Sequence, residues 1–351
     1  MQIKFFGIFA TMDSLTQIVL GAACGEIALG KKIGNKAMLF GAIGGTIPDL
    51  DVFIGGWIYG NEIDAMAFHR GFMHSILFAI IAPFLFGWVT HRFYNLGKRK
   101  GTTSLKNWIW LYFLAIFTHP ILDSFTPYGT QLFSPFTDYR TAFNTISVVD
   151  PLYTLPFLIC LIVAMFFNRK RTRRTWWLKA GIYLSSFYLL FTIGNKFYID
   201  AVFKKSFDKA AINYSRFSVQ PTILNNILWY GIAETETNYK VGFYSLFDSK
   251  SELDTILTIP KNRVLLDVHH PDIKTLTWFS NNYYNLEAID SSNNVQYIDL
   301  RYPMLNPKDI NTSLFRFELQ EKNNRWDMVP FDGKRPSSKD FKIFKERIFG
   351  N

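Results

Sequence analysis

Between residues 15 and 193 the chain alternates apolar runs with short polar linkers, and its clustered basic residues fall in every second linker. A helix crossing about 30 Å of hydrocarbon needs roughly 20 mostly apolar residues. On that criterion six segments are expected, near Leu15–Leu29, Ala37–Tyr59, Gly71–Val89, Trp108–Leu122, Leu152–Phe167 and Trp177–Ile193. The linkers after the first, third and fifth hold 13 basic residues and no acid, among them Lys31, Arg92, Lys98, Arg169 and Arg174. The other two linkers hold Arg70 and Arg140 against five acids. Basic connections face the cytoplasm, so the expected fold class is an α-helical membrane bundle of about six segments in the inner membrane. Both termini and the acidic linkers then lie on the extracytoplasmic side.

The net charge of +10 must be located before it is interpreted. Residues 1–199 carry 18 Lys/Arg against 9 Asp/Glu, whereas residues 200–351 carry 20 against 19. The excess sits in the linkers of the apolar half, which orients helices and builds no basic groove, so no nucleic-acid partner is expected. Cys24 and Cys160 lie in apolar surroundings and suggest neither a disulfide framework nor a cysteine metal site. Met1–Ala10 is too short and lacks the cleavage site of a signal peptide.

Near residue 200 the texture changes. Runs rich in aromatic and β-branched residues predict strands at Phe217–Val219, Asn226–Glu234, Tyr239–Phe247, Thr255–Ile259, Val264–Asp267, Tyr297–Leu300, Ser313–Gln320 and Trp326–Val329. Ile273, Leu276 and Phe279 recur at helical spacing within Asp272–Tyr283. A transmembrane domain over 1–199 followed by a mainly β (α+β) soluble domain over 200–351 is the expected organisation.

Four groups of polar residues interrupt the apolar half. Asp49 and Asp51 lie inside the second run after Gly44, Gly45 and Pro48. Ionised carboxylates at depth are costly and mark functional sites by default, and broken backbone there is tolerated where protein buries it. His69 and His74 flank the start of the third run in His69-Arg70-Gly71-Phe72-Met73-His74. His119 and Asp123 stand four apart, on one face of a helix. Asp138, Arg140 and Asp150 follow on the next acidic linker, where Asp150-Pro151 reads as a helix cap and first-turn proline. The charge topology brings these groups and Gln17 to one membrane face, while His91 and Glu26 fall at the other and His269 and His270 in a polar turn. Three imidazoles with two or three carboxylates suit one or two divalent ions, Zn²⁺ foremost and Mn²⁺ or Fe²⁺ as alternatives.

The chain resembles the YdjM-type membrane-bound, metal-dependent hydrolases, one branch of which is described as LexA-binding and inner-membrane-associated. The resemblance is carried by Met12-Asp13-Ser14-Leu15-Thr16-Gln17 with Gly21, by Gly45–Asp51, and by His69–Ser75. His119–Gly129, Pro135-Phe136 with Arg140, and Asp150-Pro151 complete it. It implies metal ligation by the aspartate pair and the histidine motifs, with Gln17 standing where the family has a histidine. LexA binding belongs to one branch and is not carried to this chain.

The expected ligands are therefore His69, His74, His119, Asp49, Asp51 and Asp123, with Gln17 a weak neutral candidate. One of Asp49 and Asp51 is a candidate base, and Arg70 and Arg140 are candidates to hold a substrate anion. The expected chemistry is metal-assisted hydrolysis of an ester or phosphoester, lipid-like or amphipathic, beside membrane lipid. A metal- or proton-coupled transporter and a non-catalytic metal-binding scaffold are the alternatives, although no inverted repeat supports the former.

Overall fold

The structure, a computed structural model, describes residues 4–289, 294–307, 309–329 and 336–350, with side chains from Ser14 onward. The reading of Met1–Ala10 lies outside the residues whose side chains are described. Two compact units emerge. The first comprises the chain up to Ile54 and Phe68–Thr192, and the second comprises Gly55–Ala67 and the chain from Ile193 onward.

The first unit is helical. Its elements are α1 (Lys4–Ile33), α2 (Asn35–Thr46), a 3-10 turn at Pro48–Leu50, and the start of α3 (Asp51–Ile58). After α4 (Glu62–Phe68) come a second 3-10 turn at Phe72–His74, α5 (Ile76–Tyr94), α6 (Leu105–Ser124), α7 (Pro151–Met165) and α8 (Thr172–Lys209). α1 and α2 touch backbone to backbone. A Cβ placed on Gly21 would lie 2.4 Å from the Gly41 carbonyl oxygen, and one on Gly41 would lie 2.2 Å from that of Gly21. Gly21 and Gly25 on one helix thus meet Gly41 and Gly45 on the other, two small-xxx-small pairs that let backbones approach. α6 runs through the centre, burying Trp108, Leu111, Ala115 and Ile116. Deeper in the bundle, Arg174 grips both carboxylate oxygens of Glu26 at 2.6 Å, a buried pair fixing the start of α8 to α1.

The expected six-segment membrane bundle is not what this unit contains. Among the described residues one helix, α5, is long and apolar enough to cross a membrane, and it exposes Ile80, Ile81, Phe84, Leu85 and Trp88. α2 and the stretch Pro48–Ile58 meet the same criterion only together, bent by 46° at their break. The physical reasons are local. α7 has 15 residues, about 22 Å of helix at 1.5 Å per residue. α1 carries Glu26, Lys31 and Lys32, α6 carries Lys106, His119 and Asp123, and α8 mixes lysine and serine with its aromatics. With one qualifying helix the alternating linkers no longer define sides. The multi-pass topology and the extracytoplasmic placement of the site and the C-terminal domain therefore do not stand.

The second unit corrects the expected simple α+β domain: it holds two open antiparallel sheets, each of four strands in sequence order. β1 (Arg216–Pro221), β2 (Leu228–Glu234), β3 (Asn238–Ser245) and β4 (Ile256–Pro260) form the first. β5 (Tyr284–Ala288), β6 (Val295–Asp299), β7 (Arg316–Lys322) and β8 (Arg325–Val329) form the second. α9 (Pro271–Phe279) precedes β5, and α10 (Ser338–Ile348) follows β8. Gly231 pairs with Gly242 across β2 and β3, leaving room for the Phe203 ring of α8 against Gly231. Tyr230, Val241 and Phe243 share a core with Ile298, Leu300 and Phe344.

Two expectations fail within this unit. Val264–Asp267 is no strand, and Val264 is 92% exposed. The helix ends at Phe279 and not at Tyr283, because Asn281 and Asn282 take positive φ angles of 49° and 62° that stop it.

Candidate metal centre

The break between α2 and α3 is where the site begins. Pro48 ends the α2 path, and the turn at Pro48–Leu50 turns Asp49 and Asp51 into the first unit. α6 presents His119 and Asp123 one turn apart, as their spacing requires, and Pro120 is accommodated inside that helix. His74 closes the 3-10 turn before Ser75, whose hydroxyl caps α5 by accepting from the Phe78 amide.

Four side-chain atoms converge. His74 Nε2 and His119 Nε2 lie 3.1 Å apart. Asp49 Oδ1 is 3.4 Å from each. Asp123 Oδ2 is 3.4 Å from the first and 3.3 Å from the second. Each carboxylate oxygen thus faces both imidazole nitrogens at 3.3 to 3.4 Å, and imidazole with carboxylate is a donor set suited to Zn²⁺. Among the described residues, Asp49, His74 and His119 offer ligand atoms within 4.8 Å of one another. The group can hold a divalent ion.

The surrounding atoms fit that role. His119 Nδ1 bonds the Gly45 carbonyl oxygen at 2.6 Å, which places the proton there and turns the Nε2 lone pair to the centre. His74 Nδ1 lies 3.0 Å from Asp51 Oδ2, an ion-pair distance without hydrogen-bond geometry. Asp51 also takes the His69 ring at 2.8 Å and the Arg70 amide at 2.9 Å, so it braces two elements at once. Gln17 Nε2 donates to Asp123 Oδ1 at 2.7 Å and to the His119 carbonyl at 3.3 Å. Its own Oε1 and Asp123 Oδ2 are buried with no hydrogen-bond partner among the described residues. An acceptor without a hydrogen bond, Asp123 Oδ2, beside two facing imidazoles is what a cation would satisfy. Burial alone would lower the affinity of His74 and His119 for protons. The neighbouring carboxylates, Asp51 and Asp49 at His74 and Asp123 and Asp49 at His119, outweigh it and hold both above the ordinary histidine range.

The sequence-derived candidates thus separate by position. Asp49, His74, His119 and Asp123 meet at the centre, whereas Asp51, His69 and Gln17 form a layer that orients them. Arg70, buried at a φ of 57°, donates to Thr126 at 2.9 Å, lies 3.4 Å from Asp123 Oδ2 and stacks on Tyr128 at 4.7 Å. Arg140 stacks on Tyr128 at 5.0 Å and donates to the His69 and Gly129 carbonyls. Asp150 caps α7 and accepts from Tyr188 at 2.9 Å. Glu26 and His91 are not among the grouped ligand atoms, and His270, in the second unit, caps α9. Sequence reasoning missed the Gly45 carbonyl, Thr126 and Tyr128. The paired Gly-x-x-x-Gly spacing of α1 and α2 was the available signal for the first.

A family model described as YdjM inner membrane protein matches residues 12–197, which is more than half of the 351-residue chain. The chain belongs to the YdjM inner membrane protein family. Every residue of the centre falls inside the matched stretch. Among curated relatives, the chain is similar to the uncharacterized protein YfhP of Bacillus subtilis (strain 168), 28% identical over 159 residues, or 43% of this chain and 46% of the relative. It is also similar to the inner membrane protein YbcI of Escherichia coli (strain K12), 34% identical over 109 residues, or 30% of this chain and 57% of the relative. The chain spans about half the length of these curated relatives. No solved structure matches it.

Proposed function

We propose that this chain is a metal-dependent hydrolase whose ion is held by His74, His119, Asp49 and Asp123 and whose substrate is a lipid-like ester or phosphoester. The single observation that carries the reading is a pair of imidazole nitrogens 3.1 Å apart, each with an Asp49 and an Asp123 carboxylate oxygen at 3.3 to 3.4 Å. Two nitrogens with two carboxylate oxygens favour Zn²⁺, and Mn²⁺ or Fe²⁺ next. When bound, such an ion supplies Lewis-acid polarisation of the scissile bond and acidifies the attacking water.

The protein's residues do the rest. The Gly45 carbonyl fixes the tautomer of His119, the Asp51 charge lies beside His74 Nδ1, and Gln17 holds Asp123 through Oδ1 while Oδ2 faces the two imidazoles and Arg70. The Asp49 side chain is 16% exposed while His74, His119 and Asp123 are 1% or less. Substrate therefore reaches the centre past Asp49, whose outer oxygen takes a 3.4 Å bond from Ser14 and is placed to receive a proton from water. Arg70 offsets the carboxylate charge, and Arg140, stacked on Tyr128, is a candidate to steady a substrate oxygen. A lipid-like substrate is supported by membership in an inner-membrane family.

Metal content measured on protein purified without chelator tests the site. About one equivalent is expected in the wild type and less than a tenth of that in His74→Ala and His119→Ala. A metal-free wild type would sink the proposal. Generic phosphodiester and carboxyester substrates then test the chemistry, and a metal-loaded chain that cleaves neither is a scaffold or a transporter.

A further inference from the structure

The second unit contains a cavity of about 560 Å³ that the metal centre does not use. Its volume falls in the range of small-molecule sites, roughly 300–1,000 Å³. Lys274, Thr277 and Trp278 form one face of α9, as their i, i+3, i+4 spacing dictates, and Arg263, Asn282 and Tyr284 line the cavity with them.

The electrostatics are one-sided. Arg263 is held in place by donation to the Tyr239 hydroxyl and the Asn282 carbonyl and by stacking on Tyr284 at 4.7 Å. Its Nε is buried without a hydrogen-bond partner. Lys274 is exposed and forms no ion pair among the described residues. Beside them, Glu234 is shared by Arg216 at 2.7 Å, Lys261 at 2.8 Å and Arg263 at 3.5 Å, one carboxylate for three cations. Asp272, on the same helix as Lys274, is taken by Arg325 at 2.8 Å, and Asp267 accepts from the His269 amide. Residues 200–351 as a whole are nearly neutral, with 20 basic and 19 acidic residues, so the surplus is local.

We infer that this cavity binds a phosphate monoester, with the phosphate between Arg263 and Lys274 and the organic portion against Trp278. An ordered guanidinium with donors to spare and an unpaired ammonium are the groups that recognise phosphate. The aromatic wall takes an apolar or ring-bearing body. A free organic phosphate and a phospholipid headgroup share this chemistry.

Calorimetric titration of the full chain in an uncharged detergent tests the assignment. Excess EDTA is present throughout, so that the metal centre takes no part. Glycerol 3-phosphate and dihexanoyl phosphatidic acid are the probes, with dihexanoyl phosphatidylcholine as the zwitterionic control. Saturable binding of either monoester is expected, weakened about tenfold by Lys274→Glu and unchanged by His74→Ala. Binding of both probes indicates that the phosphate group suffices, and binding of the lipid alone indicates a headgroup site. Arg263 also anchors Tyr239 and Asn282, so substitution of the exposed Lys274 is the decisive test. Failure of both monoesters to bind at millimolar concentration, or wild-type affinity in Lys274→Glu, overturns the inference.

Discussion

Asp51 shows how much a single residue can hold without lying at the centre of the site. Its two oxygens engage His69, His74 and the Arg70 amide, so one carboxylate sets the orientation of a ligand and the path of the loop behind it. Asp51→Asn keeps the shape but removes the charge that favours His74 with its Nε2 lone pair exposed. Metal affinity is expected to fall 10- to 100-fold with little change in fold, as a competition titration against a fluorescent chelator will show. An unchanged affinity would mean that Asp51 only braces the loop. The residue types were legible in the sequence, since His and Asp in apolar runs have few bland explanations. Their division into ligands and supports was not, because it depends on which ring nitrogen faces which oxygen. Gln17 illustrates the point: its sequence position suggested a weakened ligand, and its geometry makes it a clamp on Asp123.

At the scale of elements, the contact between α1 and α2 reaches the centre through Gly45. A Cβ there would lie 2.5 Å from the Gln17 carbonyl oxygen, and the Gly45 carbonyl is the partner of His119 Nδ1. Gly45→Ala is therefore expected to cost about 1–3 kcal/mol by overpacking. It should also lower metal occupancy, because both Gln17 and the His119 acceptor must shift. Thermal unfolding and metal content measured together check this, and a destabilised variant that keeps full metal would separate packing from site. Helix α6 was readable because its functional pair has a helical period. α10 was not foreseen, although Ser337 and Asp340 form a capping box at its start. β5 went unread for a different reason: the helical pattern before it runs on in sequence until the two asparagines with positive φ stop it. The membrane segments were over-read, since apolar runs of 15–20 residues with one or two charges also build helices packed within a bundle.

For the whole molecule, one acid response belongs to the second unit. In the second unit, burial pushes the Glu234 carboxyl up, but hydrogen bonds from Lys261 and Arg216 outweigh it and hold it below its ordinary value of 4.5. A depressed carboxylate contributes stability above its unfolded value and loses it as pH falls through the folded one. The unit should thus lose stability as pH drops below about 4.5, and Glu234→Gln should flatten that limb of the curve. Circular dichroism melts across the acid range would show it, and identical slopes for both proteins would refute it. The division of the chain has a consequence for anyone who would cut it. The polypeptide leaves the first unit after Ile54, returns at Phe68 and leaves again after Thr192. The excursion is tied down by Asn61 to the Trp326 carbonyl, by the Glu62 amide to Asp327, and by Asp64 to Arg325. No single scission yields two whole folds. A truncation near residue 200 strips the anchors from a stretch flanked by Asp51 and His69, so the helical half is not a portable module.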